Sequence, residues 1–248
     1  MQFIVESTKE LWAKKAADIV EETIKSSEKP VLVLPTGGTP VPMYEELVRR
    51  FQAGELSFKN MVSYNLDEYV GMDYNHPESY HGFMNRNLFA HVDALPENVH
   101  VPEGLAPDPE QAAADYNAGL DSCGGIDLAV LGIGPNGHIG FNEPGADPEG
   151  RTHVENLTQA TIDANARFFD GDMSKVPTKA LTMGIKDILS AKKILLLASG
   201  AGKAGIVKKS FQGEVTNMVP ASLLQNHPNV VVLLDEGGKE MRSIEFAD

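Results

Sequence analysis

Short, predominantly apolar runs bounded by glycine or proline recur along the chain, at Val31 to Leu34, Met61 to Leu66, Ile126 to Ile133, Lys193 to Ala198 and Val230 to Leu234. Runs of this kind, without polar alternation, read as strands of a parallel sheet buried on both faces. The stretches around them carry apolar residues at helical spacing: Trp12, Ala16, Ile19, Val20 and Ile24 in one, and Val41, Tyr44, Leu47, Val48 and Phe51 in another. Strands alternating with amphipathic helices predict an α/β chain with a doubly wound, mostly parallel central sheet flanked by helices, its first strand beginning near Val31 after a single helix. With 248 residues, no Pro- or Ser-rich linker and no internal repeat, the pattern predicts one domain over 1–248.

In such Rossmann-like sheets ligands bind beyond the carboxyl ends of the strands, so the loops after Leu34, Leu66, Ile133 and Ala198 are expected to converge on one crevice. The first reads Pro35-Thr36-Gly37-Gly38-Thr39-Pro40. Thr39 is expected to cap a helix that starts at Pro40, and the Gly-Gly turn offers bare amides and a positive helix end to an anion. It is no Walker loop, since no Gly-Lys-Ser/Thr follows. The second loop opens with Asp67 and Glu68, adjacent acids of which only one faces the crevice. A partly desolvated carboxylate there suits a general base; two solvated loop acids are the plainer alternative.

The third loop, LGIGPNGHIGFNEPG from Leu131 to Gly145, carries Asn136, His138 and Glu143. Gly132, Gly134 and Gly137 spell G-x-G-x-x-G, but Gly140, Pro144 and Gly145 forbid the helix that a dinucleotide site requires, so the glycines are read as letting the backbone approach a small ligand. A carboxylate near His138 would orient the imidazole and raise its proton affinity. The fourth loop is Ser199-Gly200-Ala201-Gly202-Lys203, and Arg167 lies at no predicted strand end. Two cations beside bare amides suit a phosphate monoester.

Charge and composition narrow the partners. A net charge of −14 repels nucleic acid and anionic membranes, and no stretch approaches a membrane span. One cysteine, Cys123, excludes an internal disulfide and fits a reducing cytoplasm; the start MQFIVESTKELW turns polar too quickly for a secretory signal. No His-Glu-x-x-His occurs, and His76 with His81 lacks a third ligand, so no metal site is expected.

Together the stretches LPTGGTPVPMYEEL, SYNLDEYVGM, HPESYHGFMNRNLF, LGIGPNGHIGFNEPG, NARFFDGD, VPTKALTMGI and SGAGKA resemble the glucosamine-6-phosphate deaminase family, in family order and over nearly the whole chain. The resemblance implies conversion of D-glucosamine 6-phosphate and water to D-fructose 6-phosphate and ammonia, without metal or redox cofactor. Matched residue by residue, it makes Asp67 the base that moves a proton between C2 and C1. It makes His138 the ring-opening group, Glu143 the partner of that imidazole, and Gly37, Gly38, Thr39, Arg167 and Lys203 the phosphate grip. Asn136 stands where one form of the family has aspartate, and is read as orienting the imidazole by accepting its hydrogen bond. The segment from Thr152 to Gly184, poor in strand signals, is read as a lid. The residues around Arg151 match the allosteric members poorly and the chain stops soon after its last strand, so weak or absent activation by N-acetylglucosamine 6-phosphate is expected, in a monomer or small homo-oligomer. A gluconolactonase and a sugar-phosphate sensor that has lost turnover are the competing readings.

Overall fold

In the computed structural model, which describes residues 1–235, the seven strands of the main sheet all run parallel. The elements are, in chain order, β1 (Gln2–Glu6), α1 (Lys9–Lys25), β2 (Val31–Leu34), α2 (Val41–Gln52), β3 (Val62–Asn65), β4 (Asp67–Tyr69), α3 (Tyr80–Asn87), β5 (Val99–His100), α4 (Pro109–Ser122), β6 (Leu128–Gly132), β7 (His153–Asn156), α5 (Gln159–Asn165), β8 (Lys179–Thr182), α6 (Ile185–Leu189), β9 (Lys193–Ala198), α7 (Ala204–Gln212) and β10 (Val230–Asp235). The main sheet has the order β1-β10-β9-β6-β2-β3-β5. From β2 the chain builds outward through β3 to β5, then returns to β6 and builds the other way. The boundary between β2 and β6 is therefore the switch point, where two outgoing loops part and leave a crevice. The expectation for the C-terminal tail concerns residues 236–248, outside the described residues.

The apolar runs form buried strands because each faces two layers. Leu32 and Leu34 pack with Trp12, Ile19 and Val20 of α1 and Tyr44 and Leu47 of α2, while Val31 and Val33 face Leu120 of α4, Ile188 of α6 and Val207 of α7. Successive residues point to opposite faces, so a strand with helices on both sides has no polar positions to spare. Trp12 also donates its indole N–H to the Leu233 carbonyl at 3.2 Å, which fixes α1 on the sheet.

Three expectations are corrected. A strand precedes α1: β1 pairs with β10 at the sheet edge, and its half-exposed residues hide the apolar signal of a buried strand. Thr39 does not cap α2; Pro40 occupies the cap position without a side-chain hydrogen bond, and Pro42 takes the early helical position. The segment from Thr152 to Gly184 is not poor in strands, for β7 and β8 lie within it and join β4 in a small antiparallel sheet of order β4-β8-β7. That sheet covers its own apolar cluster, in which Tyr69, Phe141, Leu157 and Phe169 are buried together.

Candidate active site

The carboxyl ends of β2 and β6 and the small antiparallel sheet enclose a cavity of about 420 Å³. Gly37, Gly38, Thr39, Asp67, Asn136, His138, Arg167 and Lys203 line it, as do Thr161 and Asn165 of α5. A larger groove of about 740 Å³ lies along β5 and α4 and shares none of these residues. Of the predicted site residues Glu143 alone stands behind the wall, in contact with His138 rather than with the cavity.

Asp67 is the first residue of β4, paired across the ladder with Thr182 of β8. Its neighbour Glu68 turns to the other side, where it accepts backbone N–H groups of Tyr69, Tyr80 and His81 at 2.9, 3.0 and 2.9 Å and so anchors the start of α3. Strand alternation thus assigns the two adjacent acids to different tasks and leaves Asp67 for the cavity. Burial, with a smaller contribution from the charge of Glu68, pushes Asp67 up to about 8. Gly140 keeps the space beside it open: it holds a φ of +57°, and a Cβ there would stand 3.1 Å from Thr182 Oγ1 and 3.5 Å from Asp67 Oδ2.

The third loop is built around its histidine. Gly134 N–H donates to the His138 carbonyl at 2.9 Å, and Gly137, at φ +90°, donates to the Gly134 carbonyl at 3.1 Å. A Cβ on Gly134 would run into the His138 ring, and one on Gly137 would stand 2.7 Å from Val219 Cγ1. These two glycines therefore make room for the protein's own imidazole and for Val219, while Gly132 and Gly134 also line the cavity.

His138 Nδ1 lies 3.6 Å from Glu143 Oε1, within ion-pair range but too far for a hydrogen bond, and has no hydrogen-bond partner. Asn136 does not accept from the imidazole as expected. Its Oδ1 accepts the His138 backbone N–H at 3.1 Å, and its Nδ2 donates to Glu143 Oε2 at 2.7 Å, so it positions the carboxylate and the loop. The other oxygen, Glu143 Oε1, accepts the hydroxyl of Thr161. Burial alone would raise Glu143, yet the nearby imidazole, the Thr161 hydroxyl and the Asn136 amide outweigh it and hold the carboxyl at about 2.

The cations meet at the other end. Lys203 ends the fourth loop and donates to the Ile133 carbonyl at 2.7 Å; burial first and Arg167 second lower its pKa. Arg167 sits in a 3₁₀ turn, Ala166–Phe168, that continues α5, with its guanidinium 4.6 Å above the Phe168 ring. The fourth loop is tied down by Asp235 at the end of β10, which accepts the Gly200 N–H at 2.8 Å and the Ser199 hydroxyl.

Sequence reasoning missed α5 as a wall of the site. Thr161 and Asn165 project from one side of it; Asn165 Nδ2 donates to the Tyr69 hydroxyl at 2.9 Å, two residues from Asp67. The available signal was Thr158, which caps α5 and lies three residues before Thr161, but that spacing reads first as an ordinary helix start.

A doubly wound sheet with a dry carboxylate, a histidine backed by a second carboxylate and a pair of cations at its switch point defines an α/β protein with acid/base groups and positive charge gathered in one cavity. Residues 6–233 match the family of glucosamine-6-phosphate isomerases and 6-phosphogluconolactonases, and the chain belongs to it. It is 48% identical over 236 residues to glucosamine-6-phosphate deaminase of Thermoanaerobacter pseudethanolicus, covering 95% of this chain and 93% of that one. It is 45% identical to glucosamine-6-phosphate deaminase 2 of Bacillus subtilis, over the full length of both. Among solved structures, a monomeric glucosamine-6-phosphate deaminase superposes with a TM-score of 0.94 at 45% identity, covering 99% of this chain and all of that one. A 6-phosphogluconolactonase of Thermotoga maritima, at TM-score 0.75 and 18% identity over 94% of this chain and 99% of that one, shares the fold alone.

Proposed function

We propose that this chain converts D-glucosamine 6-phosphate and water to D-fructose 6-phosphate and ammonia, and that the groups in the 420 Å³ cavity carry the reaction. The activity follows the full-length likeness to glucosamine-6-phosphate deaminases. The observation that carries the site assignment is the presence of two separate acid/base centres facing one cavity, Asp67 and His138 with Glu143 behind it, beside the two cations Arg167 and Lys203.

The chemistry needs two centres. A C2 proton becomes acidic only when ring opening exposes a C1 aldehyde. His138 moves the proton that opens the pyranose at the ring oxygen, with Glu143 stabilising the imidazolium. Asp67 then takes the proton from C2, giving an enolamine, and returns it to C1. The resulting C2 imine adds water and releases ammonia, leaving the ketose. Arg167, Lys203 and the Gly37–Thr39 turn hold the phosphate, so that binding energy remote from C1 and C2 positions the reacting carbons. Asp67 must be ionised to act, and its dry setting strengthens it as a base once it is.

Lactone hydrolysis in the same fold calls for no base at the Asp67 position, so the buried carboxylate facing the cavity favours the deaminase. The chain acts as a monomer or small homo-oligomer, a reading that the monomeric relative supports; among the described residues no helix is long and apolar enough to cross a membrane. Fructose 6-phosphate formation by the purified, chelator-treated protein, with Asp67→Asn alongside, tests the whole reading. Turnover that collapses in the variant supports it, whereas turnover retained in Asp67→Asn removes Asp67 from the mechanism.

A further inference from the structure

Glu143 is shared between three neighbours, and the sharing is unequal. Oε2 is taken by Asn136 Nδ2 at 2.7 Å and Oε1 by the Thr161 hydroxyl, while His138 Nδ1, 3.6 Å from Oε1, is buried without a hydrogen-bond partner. A buried polar atom left without a partner is costly, and the carboxylate oxygen nearest to it, Oε1, is occupied by the Thr161 hydroxyl. Thr161 is itself buried, and its hydroxyl is aimed by the start of α5: Thr158 Oγ1 accepts the Thr161 N–H at 3.3 Å and donates to Thr161 Oγ1 at 3.1 Å. The Thr161 hydroxyl thus has its lone pair engaged by Thr158 and its proton committed to Glu143.

We propose that Thr161 is a positioning residue that holds Glu143 Oε1 away from His138 Nδ1, so that the imidazole stands beside the carboxylate without a closed hydrogen bond. This deepens the deaminase reading and rests on it for its catalytic meaning. A fully paired imidazole is more basic and gives up a proton less readily, whereas a ring-opening group must both donate and accept. Thr161 therefore acts on the ring-opening group through the placing of Glu143 Oε1. The other ionisable groups lining the cavity are Asp67, Arg167 and Lys203, and none belongs to α5 proper or to the third loop.

The test is a ¹⁵N imidazole NMR titration of the full chain, comparing the native protein with Thr161→Val and Thr161→Ser. Valine keeps the shape and removes the hydroxyl, freeing Oε1 to pivot about its Asn136 anchor onto Nδ1. The His138 midpoint is expected to rise by about one pH unit in Thr161→Val, as an opposite charge within hydrogen-bond reach dictates, and to return to the native value in Thr161→Ser. The other six of the seven histidines serve as the control for folding and should not move. A His138 midpoint that stays or falls in Thr161→Val, or moves equally in Thr161→Ser, overturns the proposal. Native turnover of glucosamine 6-phosphate, measured on the same samples, reports separately on the deaminase reading, because the titration does not depend on it.

Discussion

Two buried carboxylates serve this cavity, and their surroundings drive them in opposite directions. Asp67 enters from the small antiparallel sheet into a dry corner beside Glu68 and is pushed up to about 8; Glu143 sits in a glycine-rich loop, surrounded by an imidazole, a hydroxyl and an amide, and is held at about 2. The side-chain chemistry is the same. What differs is whether the backbone brings donors to the charge, and that difference separates a base able to exchange protons near neutrality from a permanently charged partner for a histidine.

Removing the base should have the largest effect. Asp67→Asn is expected to lower kcat by about 10²- to 10⁴-fold or more, read as fructose 6-phosphate formation. The same variant sharpens the comparison through stability. Asp67 binds its proton more tightly folded than unfolded, so ionising it costs native stability as the pH rises from about 4, its unfolded value, to about 8. In denaturant titrations Asp67→Asn should therefore gain stability over the native protein across that interval and lose its advantage at the acid end. Glu143→Gln should do the reverse, being destabilised at neutral pH, with the gap closing as the pH falls from about 4.5 towards about 2. If both variants shift in the same direction, the contrast between the two sites is wrong.

Next in size is Gly134→Ala, whose methyl group would displace the His138 ring. An activity loss of about 10²-fold with substrate binding largely kept is expected from kcat and KM measured together, since a small misplacement of a reacting group is costly. Lys203→Met should act on the other end of the substrate, raising KM for glucosamine 6-phosphate by about tenfold or more, on the scale of one charge-assisted hydrogen bond.

The central strands and the amphipathic faces of α1 and α2 were legible in the sequence because burial on both sides of the sheet leaves a run of apolar residues with nothing to confuse it. The convergence of Asp67, His138, Lys203 and the Gly37–Thr39 turn followed from strand ends alone. β1 escaped because an edge strand is half solvated, and β7 and β8 escaped because four-residue strands such as His153–Asn156 carry polar residues that only their antiparallel pairing explains. Asp67 on a strand runs against the low strand propensity of acids, and the ladder partner Thr182 lies more than a hundred residues away. Thr161 was invisible for a similar reason: its partner Glu143 is fixed by tertiary packing, and a threonine after a helix cap carries no chemical signature of its own.

The proposed mechanism depends above all on the state of Asp67. A ¹³C carboxyl NMR titration of the native protein should show one carboxyl titrating near pH 8, lost in Asp67→Asn. If every carboxyl of the native protein titrates below about 5, in the range of ordinary solvated acids, the dry base does not exist and the mechanism built on it falls.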